Sequence, residues 1–331
     1  MRRWLRRCSL AVGWAIAAAL SPAAAQTAAP TSAPSTKRSC PPPATAPTPA
    51  QLQAAAAQAR DRGLLWRLER DGRASYLYAS IHVGKLEWAL PGPQLRAALR
   101  ATDTLALELD IGDPQIVARM KAPDGSVPPA LPSALRERLA RQADAACVPI
   151  ELLSAMHPVM QAVSLVVLAA RWQGLDPGYA QEFVLSGFAR AGQRRVVSLE
   201  TPEAQMAALI PQDPAEAERM VAQVLDQLEQ GSVQRMIARL ARAWERGDLA
   251  EIAHYEVWCE CVADDEDRAQ MRRLNDERNP GLADGIAALH REGRSVFAAV
   301  GALHMTGPRA LPALLVQRGF SVERIGLPTL P

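Results

Sequence analysis

The sequence predicts an α/β (α+β) fold with a mixed central β-sheet formed from N- and C-terminal strand–helix–strand units. Strand-like segments lie near both ends, within residues 64–110 and 295–325, and helical periodicity dominates residues 114–291. Strands at both ends that pair in one sheet make the middle a large helical insertion. No linker-like stretch interrupts residues 55–331, so we expect a single domain there.

The first 54 residues do not have the character of that domain. An arginine-rich start, an apolar run from Leu10 to Leu20 and small residues up to Ala25 are typical of a secretory signal peptide, residues 1–25. Residues 26–54 are rich in alanine and proline, which predicts a disordered linker. We therefore expect a periplasmic or secreted protein, attached to a membrane only if the signal segment stays uncleaved.

The charge balance argues against nucleic acid as a partner. The chain has 37 basic and 35 acidic residues, and the predicted signal peptide removes four arginines and no acids, which leaves 33 against 35. A near-neutral domain lacks the basic footprint of nucleic-acid binding. The expected partner is a peptide or another small substrate, and the oligomeric state stays open.

Four cysteines remain after the predicted cleavage: Cys40, Cys147, Cys259 and Cys261. An even number in an exported protein predicts disulfides, and all three pairings are open. Cys259 and Cys261, with His254 nearby, are alternatively half of a zinc site. Zinc is the weaker interpretation because no second cysteine pair follows.

A β-hairpin opens the domain. The segments Leu64–Glu69 and Tyr76–Ile81 are rich in large apolar residues and flank Asp71-Gly72, a pair that favours the tight turn of a hairpin. The second strand ends at His82.

A helix and a third strand follow the hairpin. Pro93–Arg100 has proline in its first turn, as helices often do. Alternation predicts a strand over Thr104–Asp110, with Glu108 and Asp110 on one face because side chains repeat every second residue.

The middle of the chain is predicted to be mainly helical. Apolar residues recur at helical spacing, and a short strand over Val196–Glu200 interrupts the pattern. The predicted helices are Pro132–Ala143, Ile150–Arg171, Tyr179–Ala191, one from Thr201, two within Ala215–Trp244, Ala250–Val257, Asp265–Arg278 and Gly281–Arg291.

Two segments of the chain share one plan: a strand, a histidine at its end, a glycine shortly after, and a helix. Ala79–His82 closes the second strand, and Gly301–His304 follows a buried strand near the C-terminus, ahead of a helix and a strand over Phe320–Ile325. The similarity has the form of a weak internal repeat, and two such units can pair in one sheet. We then expect His82 and His304 to converge.

Glu108 is the nearest carboxylate to these histidines by topology. Two imidazoles and a carboxylate suit a divalent metal, with Mn, Co or Zn as candidates. Such a site activates water and keeps a position open for substrate. The residues therefore predict a metal-dependent hydrolase with His82, His304 and Glu108 as ligands, and structural histidines beside a solvated strand face are the alternative.

Six short motifs occur in a set order: Tyr76–Gly84, Glu108–Asp110, Gly174–Asp176, Val197–Thr201 with Gln205, Glu277–Asn279 and Val300–Gly307. Together they resemble the TraB/GumN family, which includes the Tiki metalloproteases, over nearly all of the chain from Leu64 to Ile325. The resemblance implies a divalent-metal-dependent hydrolase, with peptide-bond cleavage as in the Tiki branch. It also implies a fold similar to the erythromycin esterases and the ChaN-like haem-binding lipoproteins.

The resemblance also implies roles for single residues. The family's two Gly-x-x-His motifs fall on Ala79–His82 and Gly301–His304, with alanine at 79 where glycine is usual. Its acidic position falls on Glu108, as ligand or general base. Arg278 is a candidate to orient substrate or to stabilise a developing oxyanion; the alternative is a salt bridge to Glu200 or Glu108.

Two other functions stay open. One is a non-catalytic periplasmic protein that binds haem or a partner, or supports envelope polysaccharide assembly. The other is a metal-independent esterase with a histidine–carboxylate pair, although no Gly-x-Ser-x-Gly motif is present. His157, His254 and His290 are predicted to be ordinary surface or core histidines.

Overall fold

The computed structural model describes residues 40–120 and 129–327. Six strands form one mixed sheet in the order β4-β3-β5-β2-β1-β6. Within it β1 is antiparallel to both of its neighbours, and the other neighbouring strands are parallel to each other. The strands are β1 (Leu64–Arg70), β2 (Arg73–Ser80), β3 (Thr104–Leu107), β4 (Arg195–Ser198), β5 (Val296–Gly301) and β6 (Ser321–Ile325). The predicted α/β fold with a mixed sheet is confirmed.

Helices flank the sheet and fill the middle of the chain, as predicted. They are α1 (Pro49–Ala57), α2 (Pro93–Arg100), α3 (Pro114–Met120), α4 (Ser133–Ala145), α5 (Pro158–Ala169), α6 (Gln181–Ala191), α7 (Pro202–Leu209), α8 (Pro214–Glu229), α9 (Ser232–Glu245), α10 (Leu249–Ala253), α11 (Tyr255–Trp258), α12 (Asp265–Leu274), α13 (Asn279–Arg291) and α14 (Leu311–Gln317). Among the described residues, no helix has the length and apolar character needed to cross a membrane.

The hairpin between β1 and β2 has the predicted turn. Asp71 and Gly72 both have positive φ, 51° and 69°. Two left-handed residues in a row make the turn whose twist matches paired strands. The hairpin register, from Leu64 opposite Ala79 to Arg70 opposite Arg73, is set by this turn.

The centre of the core is β5, which lies between β2 and β3. Its residues from Val296 to Val300 are at most 1% exposed. Strands covered on both faces read as continuous apolar runs, which explains the sequence of β5. Tyr78 of β2 packs against Phe297 of β5 and against Trp244 of α9, so helix and sheet share one core.

Several predicted boundaries were wrong. The helix predicted over Ile150–Arg171 begins only at Pro158, because His157 precedes a proline and is extended, with ψ 140°. The predicted strand over Thr104–Asp110 stops at Leu107. Glu108 therefore follows the strand instead of belonging to its face.

The N-terminal segment differs in part from its prediction. The predicted signal peptide, residues 1–25, lies outside the described residues. Residues 40–54, predicted to be disordered, are held against the domain: Cys40 is bonded to Cys147, and the Ala44 N–H donates to Asp176 Oδ2 at 3.0 Å. Thr48 caps α1, which begins inside the predicted linker.

The cysteines form two disulfides, Cys40–Cys147 and Cys259–Cys261. This selects one of the three pairings that the sequence left open. The alternative zinc half-site is not formed, because its two cysteines are bonded to each other. His254 Nδ1 instead lies 2.7 Å from the Ala250 carbonyl oxygen.

Candidate functional site

The candidate site lies where four neighbouring parallel strands end. Glu200 follows β4, Glu108 follows β3, His304 follows β5 and His82 follows β2. In open α/β sheets this edge, beyond the carboxyl ends of the strands, is where ligands bind. Strand order therefore brings together residues that lie up to 222 positions apart in the sequence, from 82 to 304.

Gly301 marks the point on which the predicted ligands converge. A Cβ at Gly301 would lie 3.2 Å from Glu108 Oε1, 3.6 Å from His304 Cδ2 and 3.8 Å from His82 Nε2. All three side chains thus come within 4 Å of one point. The predicted convergence of His82 and His304 is confirmed.

His82 is exposed and anchored by a carboxylate. Its Nδ1 lies 3.2 Å from Glu182 Oε1, and 63% of its side chain is exposed. Ser80 Oγ donates to the same oxygen at 2.5 Å. The attraction of Glu182 raises the pKa of His82 to about 9, and water at the exposed ring screens part of this effect. An ionised carboxylate only accepts, so Nδ1 carries a proton and Nε2 faces the Gly301 side.

Glu182 is itself nearly buried, with 9% of its side chain exposed. Its Oε2 has no hydrogen-bond partner anywhere in residues 40–120 and 129–327. An unpaired buried oxygen of a carboxylate costs free energy. Glu182 Oε2, beside His82, is thus a carboxylate oxygen that can still accept a hydrogen bond or contact a cation.

His304 is buried, with 5% of its side chain exposed, and it is anchored by an amide. Asn279 Nδ2 donates to the carbonyl oxygens of His304 and Arg309, at 3.3 and 2.8 Å. Asn279 Oδ1 therefore faces His304 Nδ1, 2.6 Å away, and Nδ1 must carry the proton. Burial, with the charge of Arg278, lowers the pKa of His304 to about 4, so the ring is neutral and Nε2 keeps its lone pair.

Glu108 is held by two donors. The Gly301 N–H donates to Oε1 at 2.7 Å, and Arg278 Nη2 donates to Oε2 at 2.5 Å. Burial opposes the charged form, but His304 when protonated, Arg278, His82 and the Gly301 N–H outweigh it and lower the pKa of Glu108 to about 2. Glu108 is thus a carboxylate under all ordinary conditions.

Arg278 joins the two sides of the site. Its guanidinium contacts both Glu108 and Glu200, so the predicted salt bridge is present with both candidates. Nη1 donates to the Leu274 carbonyl oxygen at 2.9 Å and lies 3.4 Å from His304 Nε2. The side chain is 12% exposed. Arg278 therefore holds Glu108 and Glu200 together on the buried side of the site.

The loop that carries His82 is pinned by a short bridge. Gly84 and Asp176 exchange backbone hydrogen bonds, at 3.0 and 2.8 Å, and the Gln181 N–H donates to the Ile81 carbonyl oxygen. A Cβ at Gly84 would lie 2.3 Å from the Tyr179 carbonyl oxygen, so only glycine fits there. The bridge places the first turn of α6, and hence Glu182, beside His82.

Ala79, the departure from the family motif, fits its place. It is fully buried, lies opposite Val300 in the ladder and does not have positive φ. Gly301 lies opposite Ser80 instead, so the two motifs are displaced by one residue in space. Because successive residues of a strand face opposite sides, Ala79 points away from the side on which Gly301 leaves room.

Sequence reasoning missed three of these residues: Ser80, Glu182 and Asn279. Each acts through a contact that no local pattern reveals. A signal was present for two of them, since Asn279 stands next to Arg278 in one motif and Glu182 lies in the first turn of the helix that follows Gly174–Asp176. Asp110, in contrast, bonds to Arg190 at 2.6 Å and does not join Glu108.

The side chains around Gly301 are of the types that bind divalent metal ions, namely imidazoles and carboxylates. Both histidines are anchored through Nδ1 by a carboxylate or an amide oxygen, which is how proteins orient imidazole ligands. Glu108, Glu182 and Glu200 against Arg278 leave two net negative charges when both rings are neutral. As the side chains stand, however, no three His, Cys, Asp or Glu residues of the described ranges form a group that could hold a metal ion. Binding would require Glu108 to share its oxygens with Arg278 and the ion.

The chain matches the sequence description of one protein family, over residues 64–324. No curated protein and no solved structure matches it. The matched span contains every residue of the candidate site and all but the last residue of the sheet. The chain belongs to the TraB/PrgY/gumN family.

Proposed function

We propose that this chain is a divalent-metal-dependent hydrolase with His82, His304 and Glu108 as metal ligands. The observation that supports this most is the matched anchoring of the two rings. Glu182 holds Nδ1 of His82 and Asn279 holds Nδ1 of His304, and Nε2 of His82 and Cδ2 of His304 each lie within 4 Å of the Cβ position of Gly301. This arrangement is the usual outer support of metal-binding histidines.

The residues divide the chemistry among them. A bound divalent ion would lower the pKa of a water molecule and polarise the substrate carbonyl. The low pKa of Glu108 makes it a poor general base and favours its role as ligand and fixed negative charge. Arg278 holds Glu108 in place and supplies positive charge for an anionic intermediate.

The substrate class follows only from the reaction that the family resemblance implies. We propose a peptide or another small carbonyl substrate, approached from the solvent side on which His82 is exposed. We also propose that the protein works outside the cytoplasm, because its first 25 residues have the pattern of an export signal.

A metal-independent hydrolase is the second candidate, and the His82–Glu182 pair favours it. A carboxylate that orients an exposed imidazole is the arrangement of a general base. In this version His82 Nε2 takes a proton from water, and Glu182 stabilises the imidazolium that forms. Neutral His82 is needed, so activity would rise with pH.

Metal analysis of the purified protein separates the two candidates. We expect one divalent ion per chain, lost in His82→Ala and in His304→Ala but kept in His254→Ala. His254 is a matched control because it is exposed and its ring nitrogen Nδ1 lies 2.7 Å from the Ala250 carbonyl oxygen, away from the candidate site. Unchanged metal content in both site variants would overturn the metal proposal. Metal-independent hydrolysis that disappears in His82→Ala and Glu182→Gln would establish the second candidate instead.

A further inference from the structure

The loop after α11 holds two cysteines in a bond that encloses almost no chain. Cys259 and Cys261 are bonded at a sequence separation of 2, whereas Cys40 and Cys147 are 107 residues apart. A disulfide stabilises a fold mainly by restricting the unfolded chain, and the effect grows with the number of residues enclosed. The Cys259–Cys261 disulfide therefore adds little to the stability of the fold. Its reactivity explains its presence better than crosslinking does.

The two sulfur atoms have unequal surroundings. Cys259 is 3% exposed, and Cys261 is only half-buried. The Cys261 N–H donates to Cys259 Sγ at 3.1 Å. A hydrogen bond to sulfur favours its negative charge, so Cys259 is the better leaving thiolate. Cys261 is the sulfur that an incoming thiolate can reach.

The surrounding loop is held by contacts that do not involve the bond. Arg235 pairs with Glu260 at 2.9 Å, and Trp258 Nε1 donates to the Glu251 carbonyl oxygen at 2.9 Å. Tyr255 packs edge-on against Trp258, with ring centroids 5.1 Å apart. These contacts hold Trp258 and Glu260 without involving either sulfur atom.

We propose that Cys259–Cys261 is a thiol–disulfide exchange site that accepts two electrons from a dithiol. A thiolate of the dithiol attacks Cys261 Sγ and forms a mixed disulfide, while the electron pair of the broken S–S bond goes to Cys259 Sγ. The second thiolate of the same dithiol then attacks its neighbour's sulfur and releases Cys261 as a thiolate. The protons of the two donor thiols end on Cys259 and Cys261, and the donor leaves as a disulfide.

The test compares the two disulfides within one full-length chain. The protein is equilibrated with graded ratios of reduced to oxidised dithiothreitol, alkylated, and measured by peptide mass at each cysteine. We expect Cys259–Cys261 to be half-reduced at a ratio at least about tenfold lower than Cys40–Cys147, whose large loop protects it. Equal ratios, or greater resistance of Cys259–Cys261, would show a merely structural bond.

A second measurement tests the direction of attack. Reduced glutathione, a monothiol, is added to the oxidised protein and the mixture is alkylated at once. We expect glutathione on Cys261 and the alkyl group on Cys259. The reverse pattern, or no mixed disulfide at either residue, would overturn the assignment. A Cys40→Ser, Cys147→Ser double variant should give the same pattern as the parent.

Discussion

The two strand ends that carry His82 and His304 look alike in sequence and differ in their physics. Both belong to strand–helix–strand units, β2–α2–β3 and β5–α14–β6, and both end in a histidine three residues after a small residue. Yet the His82 side chain is 63% exposed and bonded to a carboxylate, whereas the His304 side chain is 5% exposed and bonded to an amide. The neighbours decide the charge of each ring, and the motif does not.

The consequence is a site with one adaptable and one fixed histidine. Glu182 raises the pKa of His82, and burial lowers that of His304. The Nε2 atom of His304 is unprotonated at neutral pH and faces Arg278 Nη1 at 3.4 Å, while His82 must first release a proton. An ion that binds both therefore displaces a proton from the His82 side.

The largest expected effect comes from removing the cation on the buried side. Arg278→Leu leaves Glu108 and Glu200 buried without their partner, each with 10% of its side chain exposed, and should cost about 3–5 kcal/mol in the free energy of unfolding. Urea denaturation measures this loss. The control is Arg119→Leu, whose guanidinium is 50% exposed and pairs with Glu203, itself 61% exposed. Equal losses in the two variants would remove the distinction between a buried side and an open side.

Lowering the pH should first reduce the stability of the protein through His304, on the buried side of the site. His304 has a lowered pKa, so its neutral form contributes stability that is complete above its ordinary value of 6.5 and is lost as pH falls toward about 4. The expected loss in the metal-free protein is about 3 kcal/mol. Stability measured against pH should lose this slope in His304→Leu. A slope that stays unchanged would mean that His304 is not the buried neutral group.

His82 has the opposite sign. Its raised pKa contributes stability that is complete below pH 6.5 and is lost as pH rises toward about 9. The effect should be small because the ring is exposed. Chemical shifts of the two rings in the metal-free protein should therefore titrate on opposite sides of the ordinary histidine value. Titration of both rings near the same pH would contradict the contrast.

Substitutions of Asn279 and Glu182, the residues that anchor the two histidines, should affect protein stability and metal affinity to different extents. Asn279→Ala removes two donations to backbone carbonyls and the partner of His304, and should cost about 1–3 kcal/mol. Glu182→Gln keeps the volume and a hydrogen bond, and should cost less stability. Both should weaken metal affinity by about 10–100-fold. Calorimetric titration with Mn²⁺ or Zn²⁺ checks this, and an unchanged affinity in both would show that the anchors do not orient ligands.

The smallest effects come from the two small residues of the paired motifs. Gly301→Ala places a methyl group 3.2 Å from Glu108 Oε1 and should lower metal binding and activity while the fold survives. Ala79→Gly should cost about 0.5–1 kcal/mol of stability, the price of glycine within a strand, with no effect on the site. Unfolding and activity assays on both variants provide the comparison. A Gly301→Ala protein with full activity would mean that this space is not used.

Sequence patterns predicted the fold class, and they pointed to four residues whose side chains lie close together in the structure. The Asp71-Gly72 turn and the apolar run of β5 report local physics directly, and the ordered motifs located His82, Glu108, Arg278 and His304. Strand ends were less predictable: alternation continues to Asp110, whereas the ladder ends at Leu107. A strand ends where the strands that pair with it end. The sequence of one strand alone does not contain this information.

The anchoring residues were unpredictable for a related reason. Glu182 reaches His82 only because α6 docks through the bridge between Gly84 and Asp176. Asn279 reaches His304 because its amide is fixed by two backbone carbonyls that lie 25 and 30 residues away in the sequence. Such roles depend on tertiary contacts: the sequence places Asn279 and Glu182 near motifs, but it does not report which side chains they contact.

The position of β5 between β2 and β3 has a consequence for how the chain folds. β2 and β3 are made early but share no ladder, because the strand that joins them begins only at Val296. Until then both present unpaired backbone along an apolar edge, the condition under which nascent chains stick to one another. Pairings at such long sequence separation also form slowly. A chain truncated before residue 296 should therefore aggregate, and the complete chain should reach its native sheet in one late, cooperative step.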